Sequence, residues 1–238
     1  NNATTGRIWA DKTVVKDEIT FSGKLENQPA IKVSNINDAD FLVALSALSS
    51  YASTTTTNTQ ALDIVMVLDA SDSMDDTMSG GTKRMDALKN AVNAFIDSAK
   101  TQNDSITDGN KKIKLSIVKF ARLNTNRVGN ERFYSQIVKN LTVCDTDHAK
   151  ELKNEVNKIK PGGATRADYG LQHAQAELTA NRRSNAKQVV IFFADGKPNK
   201  NIGFDNDVAS DAIKAAKDLK DAGAVVYTVG IFDGANPD

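Results

Sequence analysis

An α/β fold with a doubly wound, mostly parallel sheet flanked by helices is the class this sequence predicts, preceded by a separate β-rich segment. Three observations carry that expectation. Beyond about residue 60, short apolar runs rich in β-branched residues alternate with stretches of helical periodicity. Two of those runs, 62–68 and 188–193, are followed at once or one residue on by an aspartate and a turn. Before the Ser/Thr-rich stretch at 49–60 the chain carries β-type residues and no helical pattern.

In chain order, residues 8–15, 18–21 and 41–45 read as strands from their β-branched and aromatic content. A segment of this size is too small to bury a core alone, so it is expected to be part of a β-sandwich completed elsewhere. Ser49 to Gln60, with four consecutive threonines at 54–57, reads as an extended polar linker. A surface loop within one domain fits the same stretch. The expected division is 1–58 for the β-rich fragment with its linker and 59–238 for the α/β domain.

The α/β part offers strands at 62–68, 113–120, 188–193 and 224–229. A helix over 82–100 places Met85, Leu88, Val92, Phe95, Ile96 and Ala99 on one stripe. A second, 147–159, carries Leu152, Val156 and Ile159 and is closed by Pro161-Gly162. A third follows Thr165 with Leu171, Ala174 and Leu178. The fourth, 207–222, carries Val208, Ile213, Ala216 and Leu219, with Gly223 ending it. These stripes are expected to be core.

Composition narrows the function classes. Among 238 residues, Lys+Arg and Asp+Glu balance at 30 each, so no net field favours nucleic acid or anionic membrane. Aromatic residues are 6%, without the basic–aromatic interleaving of a single-strand binder. No apolar run reaches membrane-spanning length. The chain opens without Met or a signal peptide, so a secreted protein would be present here as a mature fragment. Cys144 is the sole cysteine, which excludes an internal disulfide and a zinc–thiolate cluster. It lies after Leu141 and Val143 in a strand-end setting, where cysteine acts as a small hydrophobe. His148 and His173 are expected to be solvated helix residues. Asn2, Asn103 and Asn140 open Asn-x-Ser/Thr sequons, which matter only in a eukaryotic secretory setting.

The chemistry-bearing pattern begins at the end of the first α/β strand. Asp69-x-Ser71-x-Ser73 supplies one carboxylate and two hydroxyls at alternate positions of a loop. An all-oxygen set of this kind suits a hard divalent cation such as Mg²⁺. Open α/β sheets keep their binding crevices at this carboxyl edge. Thr165, after Gly162-Gly163, opens a helix, and Asp195-Gly196 ends a second apolar strand. Singly, each motif is an ordinary turn or helix cap.

Together, Asp69-x-Ser71-x-Ser73, Thr165 and Asp195-Gly196 resemble the metal-ion-dependent adhesion site of the von Willebrand factor A (integrin I-like) family. The resemblance implies a vWA/Rossmann-like fold, direct coordination by Ser71, Ser73 and Thr165, and action through water by Asp69 and Asp195. It implies Mg²⁺, with Mn²⁺ or Ca²⁺ as substitutes, and a partner that adds a Glu or Asp carboxylate to the ion. Asp72 stands where the family commonly has glycine, and Ala194 where a hydroxyl often precedes the second aspartate. The family's A domain continues with a further strand and helix, one step beyond this chain.

The flank Gly6-Arg7-Ile8-Trp9-Ala10-Asp11-Lys12-Thr13-Val14 resembles the segment before the A domain in Gram-positive pilus tip adhesins. There the A domain is inserted into an Ig-like stalk domain, often stapled by a lysine isopeptide bond. Lys12 is the matching candidate, with its partner expected beyond Asp238. An edge-strand lysine that discourages aggregation is the plainer reading of the same residue. These resemblances imply a non-enzymatic, metal-dependent adhesin on the bacterial surface, at the cell wall or pilus tip. Its partners would be a host extracellular-matrix or surface protein presenting an acidic residue, and a pilus backbone subunit. Candidate rim segments are 74–81, 122–132 (with Arg122, Arg127 and Arg132) and 199–206. Two alternatives are a structural A-domain subunit without external ligand and a Mg-dependent phosphotransferase. The latter lacks a second acid at Ser71.

Overall fold

In the computed structural model the chain divides into two compact units, Asn1–Thr57 and Asn58–Asp238. The structure describes residues 8–15, 18–21, 31–34, 42–49, 60–201 and 203–231. Among the described residues the first unit contains four strands, β1 (Ile8–Val15), β2 (Glu18–Phe21), β3 (Ile31–Ser34) and β4 (Leu42–Ser49). They form two antiparallel pairs, β1 with β4 and β2 with β3. Lys12 lies on β1 opposite Leu45. The Lys12 side chain and most of the expected 49–60 linker lie outside the described residues.

The second unit is built on a six-stranded sheet. Its strands are β5 (Ala61–Asp69), β6 (Lys114–Phe120), β7 (Leu123–Asn124), β8 (Tyr134–Val143), β9 (Ala186–Ala194) and β10 (Val225–Gly230). The order across the sheet is β10-β9-β5-β6-β8-β7. Neighbours are parallel except for β6 with β8, so the expected mostly parallel sheet is present. The helices are α1 (Arg84–Asp104), α2 (Thr146–Lys158), α3 (Ala167–Asn181) and α4 (Asn206–Asp221).

Strand β5 shows why a central strand reads as an unbroken apolar run. Side chains alternate across a sheet with a period of two. Ile64, Met66 and Leu68 pack in one core with Met85, Leu88, Val92 and Ile96 of α1 and Leu152 and Val156 of α2. Val65 and Val67 face the other core, with Leu171, Ala174 and Leu178 of α3 and Ala212, Ala215 and Leu219 of α4. Both faces are covered, so no position on β5 is free to be exposed and polar. Gly170 of α3 shows how closely that helix approaches the sheet. A Cβ there would lie 2.8 Å from Phe120 Cδ1 and 2.9 Å from Val67 Cγ1.

Several expectations are corrected. The fourth helix buries Val208, Ala212, Ala215 and Leu219, while Ile213 is 71% exposed. Val208 and Leu219 are buried as expected, and Ala212 and Ala215 complete the stripe in place of Ile213. His148 and His173 are helical but buried, each 7% exposed, not solvated. His148 Nε2 pairs with the Leu115 carbonyl at 3.0 Å and His173 Nε2 with Asn124 Oδ1 at 2.6 Å. Burial pushes the His173 pKa below its ordinary value. The sequon residue Asn103 is buried, with its side chain bonded to Ile113 N and O and to the Cys144 carbonyl. Strands β3, β7 and β8 are not among those the sequence predicts. Among the described residues, no helix is long and apolar enough to cross a membrane.

Candidate metal centre

The site forms where β5 and β9 lie side by side and their chains leave in opposite directions. Strand β5 continues through α1 to β6 on one side, while β9 lies on the other. Such a switch point opens a crevice at the strands' carboxyl ends. Asp69 ends β5, and Asp195 directly follows β9. The Asp69 loop is tied by backbone bonds to the end of β6 and to the loop before Thr165. Ala70 N donates to Phe120 O at 2.9 Å, and Gly162 N to Ala70 O at 2.8 Å. Asp72 N donates to Gly163 O at 2.9 Å, which ties the loop preceding Thr165 to the Asp69 loop. Gly163 has φ +85°, and a Cβ there would come within 2.7 Å of Arg122 Cβ. Both the backbone conformation and the close approach require glycine.

The side chains make a compact oxygen cluster. Ser71 N donates to Asp69 Oδ1 at 2.9 Å, the local bond by which an aspartate shapes its own turn. Ser71 Oγ lies 3.1 Å from Ser73 Oγ, and Ser73 Oγ donates to Asp195 Oδ1 at 2.9 Å. Residues 72–75 then form a single 3₁₀ turn that buries Met74. That turn aims Asp72 outward, where it is exposed. The residue that departs from the family's usual glycine therefore adds negative charge at the rim. Thr165 is buried, and its loop joins the third segment through Asn199. Asn199 N donates to Thr165 O at 3.1 Å, and its Nδ2 to Thr165 Oγ1 at 3.3 Å. Thus Asp69, Ser71, Ser73 and Asp195 are linked side chain to side chain or through one backbone bond. Thr165 is joined to them through its loop.

The electrostatics are unbalanced. Asp69 and Asp195 are both buried, at 0% and 1% exposed. Asp69 Oδ2 is buried without a hydrogen-bond partner. Burial first, and the Asp195 charge second, push the Asp69 pKa up to about 7, against the lowering effect of its bonds from Ser71. Two residues contribute that the sequence did not single out. Arg84, at the start of α1, sends Nη1 to Asp195 Oδ2 at 3.1 Å, to Asp76 Oδ2 at 3.1 Å and to Ser73 O at 3.2 Å. Lys119, buried at the end of β6, donates to the carbonyls of Glu131 and Arg132. Burial lowers the Lys119 pKa to about 8. Arg132 Nε in turn donates to Pro161 O at 2.7 Å, so the 122–133 segment is held against the loop leading to Thr165.

The donor set is what a small hard cation takes. Among the described residues no group of three or more His, Cys, Asp or Glu side chains is placed to hold a metal. The available side-chain oxygens are hydroxyls and two carboxylates. An orphaned buried carboxylate oxygen beside the Ser71 and Ser73 hydroxyls fits a divalent cation that retains some of its water.

A doubly wound sheet with an oxygen-lined crevice at its switch point is the architecture of an A-type domain. The chain belongs to the von Willebrand factor type A domain family, which matches residues 63–238. Solved structures share the fold at low identity. The pilus adhesin SpaC from Lactobacillus rhamnosus GG aligns with a TM-score of 0.57 and 18% identity, over 80% of this chain and 26% of that one. A von Willebrand factor type A protein from Catenulispora acidiphila aligns with a TM-score of 0.52 and 15% identity, over 97% of this chain and 42% of that one. Proximal thread matrix protein 1 from the mussel byssus, with a zinc-occupied MIDAS motif, aligns with a TM-score of 0.51 and 20% identity, over 72% of this chain and 38% of that one. The chain thus spans less than half the length of each of these structures. No curated protein matches it.

Proposed function

We propose that this chain is the ligand-binding domain of a metal-dependent adhesin on a bacterial surface. The observation that carries the reading is the unpartnered, fully buried Asp69 Oδ2 beside Asp195 and the Ser71–Ser73 hydroxyls. A buried carboxylate oxygen without a donor costs on the order of 1–3 kcal/mol or more, which a bound cation removes. Ser71, Ser73 and Thr165 would hold the ion directly, with Asp69 and Asp195 holding its waters. Mg²⁺ is the first choice, with Mn²⁺ and Ca²⁺ as substitutes. When bound, the ion supplies an open position for a carboxylate oxygen of a partner.

The chain's own residues do the rest. Asp69 shapes the loop through Ser71 N, Asp195 orients the Ser73 hydroxyl, and Asn199 holds Thr165. Lys119 and Arg132 fix the 122–133 rim, where Leu123, Val128 and Phe133 are exposed beside Arg122, Arg127 and Arg132. Apolar and basic side chains around a single metal–carboxylate bond suit an acidic segment of a host matrix or surface protein. The fold shared with a pilus adhesin supports a cell-wall or pilus-tip location and attachment to a pilus backbone subunit. Lys12, on β1, belongs in this reading to a stalk closed by an isopeptide bond.

Calorimetry with Mg²⁺, Mn²⁺ and Ca²⁺, paired with adhesion to immobilised matrix proteins in cation and in chelator, tests the proposal. One-site uptake that Ser73→Ala weakens, and adhesion lost in chelator, are the expected results. Adhesion indifferent to chelator would leave a structural subunit as the better description. No uptake of any of the three ions would sink the metal site itself.

A further inference from the structure

We propose that Arg84 is a built-in counter-cation of the metal site, and that its fixed charge limits how tightly the site takes an ion. This rests on the metal reading above and adds a determinant of affinity that is not itself a ligand. The Arg84 guanidinium reaches Asp195 Oδ2 at 3.1 Å, while the other oxygen of that carboxylate accepts from Ser73 Oγ at 2.9 Å. The same Nη1 bonds the main-chain oxygen of Ser73 at 3.2 Å. Arg84 therefore stands against both a proposed ligand and the carboxylate that orients it.

Burial decides which of its contacts matters. The Arg84 side chain is 10% exposed and that of Asp195 is 0%, whereas Asp76 is 65% exposed. The Asp76 pair is screened by water and contributes little. The Asp195 pair is desolvated and poorly screened. Arginine keeps its charge when buried, so the cation is permanent. Its position is also unfavourable for the helix alone, since Arg84 is the first residue of α1, at the positive end of the helix dipole. Asp195 offsets that cost. Asp69 has no such partner, and its Oδ2 is left bare.

Two consequences follow. Without an ion, Arg84 prevents the crevice from holding two uncompensated carboxylates. With an ion, two further positive charges enter beside a fixed one and are repelled by it. Replacing Arg84 with a neutral side chain should therefore destabilise the ion-free protein and tighten ion binding. A residue that merely shapes the loop predicts the opposite sign for binding, because its loss would disorder the ligands.

The experiment compares wild type, Arg84→Met and Arg84→Lys by Mg²⁺ calorimetry and by thermal unfolding in chelator and in Mg²⁺. Arg84→Met should bind Mg²⁺ about tenfold more tightly. Its melting temperature should fall in chelator, and the rise on adding Mg²⁺ should exceed that of wild type. Arg84→Lys, which keeps the charge but not the planar fork, should bind close to wild type. Equal or weaker Mg²⁺ binding by Arg84→Met overturns the proposal. Should Arg84→Met fail to fold in both buffers, Arg84→Gln carries the same comparison, with tighter binding in support and equal or weaker binding against. Wild-type protein that takes up no Mg²⁺ breaks the metal reading itself. Wild-type uptake without tightening in the neutral variant breaks only the role of Arg84.

Discussion

Strand β5 carries two buried aspartates, Asp63 near its start and Asp69 at its end, each with no exposed surface. Their surroundings are opposite. Asp63 Oδ2 accepts from Arg183 N at 2.6 Å and Oδ1 from Arg183 Nε at 2.9 Å, with the Nη2 of the same arginine 2.8 Å away. Arg183 also donates to the carbonyls of Leu62, Asn110 and Lys112. One guanidinium thus closes the lower edge of the sheet and leaves that carboxylate satisfied. Asp69 is bonded by Ser71 and by the Asp195 main chain, faces a second carboxylate and keeps an orphan oxygen. The two residues have the same side chain, strand and burial, yet one carboxylate is fully compensated and the other is not. The amide oxygens of Asn93 and Asn130 are also buried without a partner, so what sets Asp69 apart is that its bare oxygen belongs to a carboxylate facing a second buried carboxylate.

The largest effect that can break this comparison comes from truncating each carboxylate. Asp63→Ala should cost about 3 kcal/mol in urea unfolding, because it leaves the partly buried Arg183 charge uncompensated. Asp69→Ala should leave ion-free stability unchanged or raised, while abolishing Mg²⁺ uptake in calorimetry. A stability loss for Asp69→Ala as large as that for Asp63→Ala would erase the distinction.

A smaller effect sharpens it through pH. The Asp69 pKa stands at about 7 in the folded chain, above its ordinary 3.8. Between those values the folded state keeps a proton that the unfolded state releases. Ion-free stability should therefore fall as pH rises through that window. Asp69→Asn should flatten the slope in chelator melts. A wild-type profile that instead rises over the same range would contradict the burial argument.

Lys119 extends the comparison to a cation, buried near the carboxyl end of β6 but with its donors used on the Glu131 and Arg132 carbonyls. Lys119→Met should cost roughly 1–3 kcal/mol and expose the 122–133 segment to limited proteolysis. Unaltered cleavage would show that the segment is held by other bonds.

Cys144 gives the smallest effect, as a buried group with no charge at stake. Burial, with the nearby Asp145 charge, pushes its thiol up to about 11. Alkylation at neutral pH should therefore wait for unfolding, and Cys144→Ala should cost about 1 kcal/mol. Rapid labelling of the native protein would identify a reactive thiol.

Legibility along the chain follows the same division. The two-faced burial of β5 was readable because covering both faces demands apolar residues at every central position. Strand β8 was not, because it spends side chains on partners rather than on a core. Gln136 serves the rim through Glu131 N and Arg127 O, and Asn140 meets Glu177. Its alternation is therefore broken by residues whose purpose lies elsewhere. The buried histidines were misjudged for the same reason, since each is satisfied by a group from a distant segment.

Local order along the chain determined a great deal by itself: the alternation of strands and helices and the Asp69-x-Ser71-x-Ser73 turn. Periodicity and turn chemistry act between residues a few positions apart, so one sequence suffices to read them. Only the tertiary structure decided which buried charge is compensated and which is not. Arg183 reaches Asp63 across 120 positions, and Arg84 reaches Asp195 across 111. Electrostatic energy depends on distance in space and on exclusion of water, and no spacing along the chain encodes either.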